Sequence, residues 1–260
     1  MRRAALALLA LVVLAWIGGG LWFMANRATL YHPFDTATYP PSLAGAGVRA
    51  VSHDGLDLWV KPPVGDRPLI LYFGGNVGNP GRNAPVLAEY VVNGFGIVAM
   101  HYRPEARRGD LLVADALRVA EAVAELTGIP PDRTVIHGLS LGSGIATQVA
   151  LTHPAAGLIL EAPFTRLCDM PGTVAPLYPY CLLSPGDALP TVEAIGALSM
   201  PLLVQHGGAD RLIPLAMGQA VFAAAPEPRR LDIYPEGDHN DLRLHGAGIA
   251  ARAFALEVTR

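Results

Sequence analysis

The stretch Thr134-Val135-Ile136-His137-Gly138-Leu139-Ser140-Leu141-Gly142-Ser143-Gly144 settles what the rest of the chain must build. Thr134–His137 is β-branched and apolar, as a buried strand requires, and a helix pattern begins at Leu141. Between them stands Gly138-x-Ser140-x-Gly142. A serine on so abrupt a strand-to-helix turn needs small neighbours, which let the backbone fold tightly and lift Oγ clear of the sheet. Ser140 is therefore the candidate nucleophile. Ser143 lies a turn into the helix and lacks that geometry. The plainer reading is a glycine-rich turn that merely opens a helix.

On both sides of this turn, short apolar runs alternate with longer helical ones. Val48–Ser52 and Leu56–Val60, separated by Asp54-Gly55, read as an antiparallel hairpin. Leu69–Phe73, Ile97–Met100, Leu158–Leu160, Pro201–His206 and Leu231–Tyr234 read as further strands. Helices are expected over Pro85–Val92, from Asp110 as N-cap to a stop at Gly128 and Pro130, over Ala216–Ala224 and from about Asn240. In the second of these, Val113, Leu117, Ala120 and Ala124 recur at helical spacing. Such alternation predicts an α/β fold: a mostly parallel, doubly wound sheet with right-handed crossovers. Residues 163–199 are too long for an ordinary connection and read as a lid-like insertion.

A serine hydroxyl needs a base, and the base needs an orienting carboxylate. The turn chemistry implies the chain order Ser, acid, His. Asp210 follows the strand ending at His206, and His239 lies in the loop Gly237-Asp238-His239-Asn240-Asp241 after the last strand. Asp210 and His239 are the candidate acid and base. Asp238 and Asp241 are weaker acid candidates, since sequence neighbours of a histidine rarely reach its Nδ1. His245 falls in the last helix, and His137 and His206 end strands as structural residues. Two amides would stabilise an oxyanion: Leu141 at the helix N-terminus, and Asn76, with Val77 second, in the loop after Leu69–Phe73. No metal or organic cofactor is needed.

Composition narrows the partners. With 260 residues, 52% of them hydrophobic, the chain suits one large domain. Nineteen basic against 22 acidic residues, with no basic cluster, argue against nucleic-acid binding. Residues 1–27 stand apart from a domain over 28–260: Ala4 to Ala25 carries no charge and would span about 33 Å as a helix, enough for a bilayer core. Trp16, Trp22 and Phe23 suit its interfacial end. A cleaved signal peptide ending at Gly18-Gly19-Gly20 is the rival, although Leu21–Met24 continues the apolar run. Arg2 and Arg3 against Arg27 favour a cytoplasmic N-terminus, with the domain on the non-cytoplasmic side. In that oxidising setting Cys168 and Cys181 would form either a disulfide or two buried thiols.

Taken together, these motifs resemble the α/β-hydrolase fold superfamily, and within it the membrane-anchored, serine-aminopeptidase-like α/β-hydrolase-domain proteins. That branch carries His-Gly-Asn-Ala-Gly-Asn where this chain has Gly74 to Asn79. Its Ser-Leu-Gly-x-Gly is matched by Ser140 to Gly144, its Leu-Glu-Ala-Pro-Phe-Thr by Leu160 to Thr165, and its Gly-x-x-His-Asn-Asp by Gly237 to Asp241 with one residue rather than two before the histidine. The chain departs at Gly74, where the branch has histidine, and at Tyr102-Arg103-Pro104-Glu105, where it has Tyr-Arg-Gly-Tyr-Gly. The resemblance implies a serine hydrolase acting through an acyl-enzyme. The insertion's Phe164, Leu167, Met170, Leu177, Tyr178, Tyr180, Leu182 and Leu183, with the tether, suggest a lipid-like acyl substrate, unless they only pack the insertion. Ester hydrolysis leads, with thioesterase or peptidase activity behind it. A non-catalytic binding protein on the same fold is the competing class.

Overall fold

The computed structural model describes residues 2–32, 40–77, 80–170 and 180–260. Eight strands form one sheet: β1 (Arg49–His53), β2 (Leu56–Lys61), β3 (Leu69–Phe73), β4 (Gly96–Met100), β5 (Thr134–Leu139), β6 (Gly157–Glu161), β7 (Leu202–Gly207) and β8 (Arg229–Tyr234). Their order is β1-β2-β4-β3-β5-β6-β7-β8. β1 and β2 are the expected antiparallel hairpin, closed at Asp54-Gly55 by φ angles of 50° and 72°. β2 runs antiparallel to β4, and β4 through β8 are mutually parallel.

The α/β architecture expected from the alternation is the one observed. β3, β4, β6 and β7 are buried along their whole length, because helices cover both faces. The helices are α1 (Arg2–Asn26) at the N-terminus, which stands off the sheet, and then α2 (Pro41–Gly45), α3 (Ala84–Val92), α4 (Gly109–Thr127), α5 (Leu141–Ala150), α6 (Tyr180–Leu183), α7 (Thr191–Ile195), α8 (Leu215–Ala224) and α9 (Ala247–Val258). Alternate side chains of β3 divide between two cores. Leu69, Leu71 and Phe73 join α4 and α5 on one face, whereas Ile70 and Tyr72 join α3 and α9 on the other. Edge strands β1 and β8 are only partly buried.

Two local expectations shift. In α4 the most buried stripe is Leu112, Ala116, Val119 and Val123, one residue earlier than the spacing predicts. The same face buries Asp115, whose carboxylate Arg103 and Arg118 neutralise. Asp110 is not the N-cap but sits inside the first turn, and Asp187 from the insertion accepts the Gly109 amide at 3.0 Å instead. The last helix begins at Ala247, because Gly246 at φ 98° breaks the chain after a short turn over Leu242–His245. His245 therefore lies in that turn.

α1 is long and apolar enough to cross a membrane, and its large apolar side chains from Leu6 to Trp22 are exposed. Its C-terminal end meets the domain, where Phe23 packs against Cys168. Cys168 and Cys181 are joined as a disulfide with their Cα atoms 5.8 Å apart.

The site is positioned by a reversal in strand order. From β3 the chain crosses to β4 on one side and returns to β5 on the other, although β3 and β5 are neighbours. The loops leaving these two strands diverge and open a crevice at their carboxyl ends.

Candidate active site

Ser140 occupies the crevice floor with φ 53° and ψ −116°, a conformation costing an L-residue about 1–3 kcal/mol. Its surroundings hold it there. The Ser140 amide donates to the Glu161 carbonyl at 2.9 Å, and its own carbonyl accepts from the Ser143 amide and hydroxyl at 2.8 and 2.6 Å. Both flanking glycines are obligatory. A Cβ on Gly138 would lie 2.3 Å from the Gly142 carbonyl oxygen, and one on Gly142 would lie 2.0 Å from that of Phe73. Ser143 is buried and spends its hydroxyl on this turn.

His239 reaches Ser140 from the loop after β8. Its Nε2 is 3.0 Å from Ser140 Oγ, and its Nδ1 is 2.8 Å from Asp210 Oδ2. A carboxylate can only accept, so Nδ1 carries the proton and Nε2 is left to accept from the serine hydroxyl. Asp210 Oδ1 in turn accepts the Leu212 and Ile213 amides at 2.9 and 2.8 Å. Burial pushes the Asp210 pKa up, but the hydrogen bond from His239 and those from the Ile213 and Leu212 amides outweigh it. The carboxyl is held below its usual value. Asp210 is thus an ionised acceptor at neutral pH.

The other acids and histidines serve the architecture. Asp238 Oδ1 accepts the His239 amide and Asp241 Oδ1 accepts the Asp238 amide, so both shape the turn that presents His239. His206 donates from Nε2 to the Ile213 carbonyl at 2.8 Å, and burial lowers its pKa and keeps it neutral. Its ring fits because Gly218 has no Cβ, which would lie 2.3 Å from Nδ1. His137 sits between Tyr90 Oη at 3.0 Å and Glu161 at 3.4 Å. His245 lies 3.7 Å from Asp241.

The loop after β3 passes beside the serine, with a Cβ position on Gly75 3.6 Å from Ser140 Cβ. The Val77 amide donates to the Gly75 carbonyl at 2.9 Å and is committed to the turn. Asn76 and Leu141 both line the cavity beside Ser140. Gly78 and Asn79 lie outside the described residues. At Gly74, Asn83 takes the space a side chain would need, with its Nδ2 2.3 Å from the Cβ position, and Tyr102 donates to the Gly74 carbonyl at 2.6 Å. Burial raises the Tyr102 pKa, so the phenol stays protonated and able to donate. Tyr102, which the resembled pattern shares, thus braces the loop at the position where Gly74 departs from that pattern.

A cavity of about 710 Å³ opens over Ser140 and His239. Phe164, Leu167 and Met170 of the insertion help to line it. Leu182 is instead 80% exposed, whereas Leu177 and Tyr178 lie outside the described residues. The pattern of residues gave no sign that Leu30, Tyr31 and His32 would form another part of the wall. Among the described residues, no group of three or more His, Cys, Asp or Glu side chains is placed to hold a metal ion.

No family model matches the chain. The uncharacterized protein Rv2307c of Mycobacterium tuberculosis is 30% identical over 257 residues, covering 94% of this chain and 91% of the relative. The uncharacterized protein YfhR of Escherichia coli is 25% identical over 81% of this chain and 79% of its own. Among solved structures, the propionate-bound esterase Est2 of Thermogutta terrifontis superposes with a TM-score of 0.65 at 22% identity. It covers 85% of this chain and 97% of its own. The Pyrococcus furiosus esterase Pf2001 gives 0.67 at 13% identity, over 88% and 100%.

Proposed function

We propose that this chain, which belongs to one family with the mycobacterial relative and has the α/β-hydrolase fold, is a membrane-tethered serine hydrolase of lipid-like carboxylic esters. The observation that carries this reading is the continuous hydrogen-bonded chain from Ser140 Oγ through His239 to Asp210. It stands on a strained turn at the floor of a partly apolar cavity.

In this reading Ser140 Oγ attacks the acyl carbon while His239 Nε2 takes the hydroxyl proton. Asp210 fixes the imidazole tautomer and stabilises the imidazolium that forms. The electron pair moves to the carbonyl oxygen, which the Asn76 and Leu141 amides hold as an oxyanion. Collapse re-forms the carbonyl and breaks the bond to the alcohol, which leaves with the proton from His239. Water then attacks the acyl-enzyme, gives its proton to His239, and the carboxylic acid departs as Ser140 is restored.

The substrate class rests on two observations. Leu30, Leu141, Phe164, Leu167, Met170 and Leu212 give the cavity an apolar side, beside the polar His32, Arg82 and Asn240, and an acyl chain gains about 0.8 kcal/mol per buried methylene against such side chains. The apolar α1 enters the domain beside that apolar side, which suits substrates drawn from a bilayer.

The experiment treats the full-length, detergent-solubilised protein with a fluorophosphonate and then offers esters, thioesters and peptides of graded chain length. Covalent modification of Ser140 and preference for acyl esters are expected, with activity lost in Ser140→Ala. An unmodified Ser140 in folded protein, or undiminished turnover in Ser140→Ala, would overturn the reading.

A further inference from the structure

The side chain of Asn76 does something its backbone role does not require. Its Nδ2 donates to the Leu30 carbonyl at 2.9 Å, and its Oδ1 accepts the His32 amide at 2.9 Å. The intervening Tyr31 is extended, with φ −102° and ψ 131°. In an extended chain the C=O of one residue and the N–H of the residue two further on face the same side. One carboxamide thus makes the paired contacts a neighbouring strand would make.

The segment is also gripped from the insertion. Tyr31 is buried, and its hydroxyl donates to Asp187 Oδ1 at 2.8 Å. Asp187, fully buried, also accepts the Ser184 hydroxyl at 2.6 Å and lies 3.4 Å from Arg27 Nε. Upstream, Phe23 at the end of α1 packs on Cys168. Only the short turn Arg27–Leu30 separates α1 from the clamp. The stretch leaving the apolar helix therefore runs directly onto the loop whose Asn76 amide faces the developing charge in the proposed mechanism.

We propose that residues 30–32 are a positioning element of the active site. By holding the Asn76 side chain they set the place of the Asn76 backbone amide, so hydrolysis depends on the exit segment of the anchor being docked. This rests on the serine-hydrolase reading and adds that the N-terminal segment is more than a tether. An oxyanion donor is worth about 10²–10³ in kcat, and a displacement of about 1 Å can forfeit much of that. Loosening the clamp therefore acts on the transition state rather than on substrate capture.

The test uses full-length protein in detergent micelles with a soluble short-chain ester. Asn76→Ala keeps the backbone amide and loses both side-chain contacts, and His32→Pro, read against His32→Ala to account for the lost ring, removes the amide that Oδ1 accepts. Each is expected to lower kcat about 10- to 100-fold, with KM changed less than about threefold. The double variant is expected to be no more than about threefold worse than the weaker single, since both break one clamp. Where His32→Pro fails to fold, judged by its melting profile, Asn76→Asp replaces it. That variant keeps the acceptor for His32 and drops the donor to Leu30, and an intermediate loss of kcat is expected. Full kcat in Asn76→Ala, or losses that simply multiply, would overturn the inference while leaving the hydrolase reading intact. A wild-type protein inert to both ester and fluorophosphonate would overturn both.

Discussion

Nδ1 of His239 and Oδ2 of Asp210 meet at 2.8 Å although 29 positions separate them in the chain. They meet because β7 and β8 are parallel neighbours, so the loops after both strands emerge at the same end of the sheet. Ser140 follows β5, two strands from β7 and three from β8, and the His239 loop spans that gap.

Replacing Asp210 by Asn keeps its shape but removes the charge that fixes the imidazole tautomer. The expected loss is about 10³–10⁴ in kcat with little change in KM. Its pKa lies below the unfolded value, so the stability it supplies is complete above the ordinary carboxylate range. That stability is lost only as pH falls through the lower, folded value. Melting curves of wild type and Asp210→Asn should therefore differ by a constant amount from neutral pH to about 5, and converge below about 4. Convergence on the alkaline side would contradict the assignment.

Two glycines should respond oppositely to alanine. Gly142 has no room for a Cβ, which would meet the Phe73 carbonyl oxygen at 2.0 Å. Gly142→Ala should cost about 3 kcal/mol and abolish turnover. Gly128, at φ 73°, faces open space, so Gly128→Ala should cost about 1 kcal/mol for backbone conformation alone and leave kcat unchanged. Denaturant midpoints and initial rates on the same preparations would separate the two.

Asp187 accepts from Tyr31, Ser184 and the first amide of α4. Asp187→Ala would leave those donors buried without their acceptor, and a loss of about 3 kcal/mol is expected. A stability within 0.5 kcal/mol of wild type, on the order of a surface change, would show that the network carries no weight.

α1 should hold the protein in membranes through alkaline carbonate washing and release it to detergent, as a spanning helix does. Protease added to intact cells should cleave the catalytic domain if it faces outward, as the Arg2-Arg3 asymmetry suggests. Recovery in the supernatant without detergent would argue for a segment that does not anchor.

Much of the fold and site is legible in the sequence, for physical reasons. Strands buried on both faces must be continuously apolar, so β3 and β4 stand out in the sequence, and the crowding at Ser140 demands the glycines that flank it. Asp210 and His239 could be named because parallel topology brings successive strand ends to one edge. The stripe on α4 shifted because a charged residue, Asp115, was buried with two arginines, which hydropathy alone does not register. The start of α9 was misplaced because one left-handed glycine, Gly246, outweighed a helix-like pattern. The clamp between Asn76 and residues 30–32 was invisible for a different reason: it joins a side-chain amide to backbone groups, which leave no trace in residue type.

The proposed nucleophile, Ser140, sits near the middle of the chain, and the imidazole proposed to take its proton is supplied only 99 positions later. During synthesis, a ribosome-bound fragment ending before β8 would present Ser140 with no imidazole beside it and would be chemically silent. Reactivity would switch on as the last strand joins the sheet, making phosphonate capture a timer for the completion of folding rather than for the emergence of the serine.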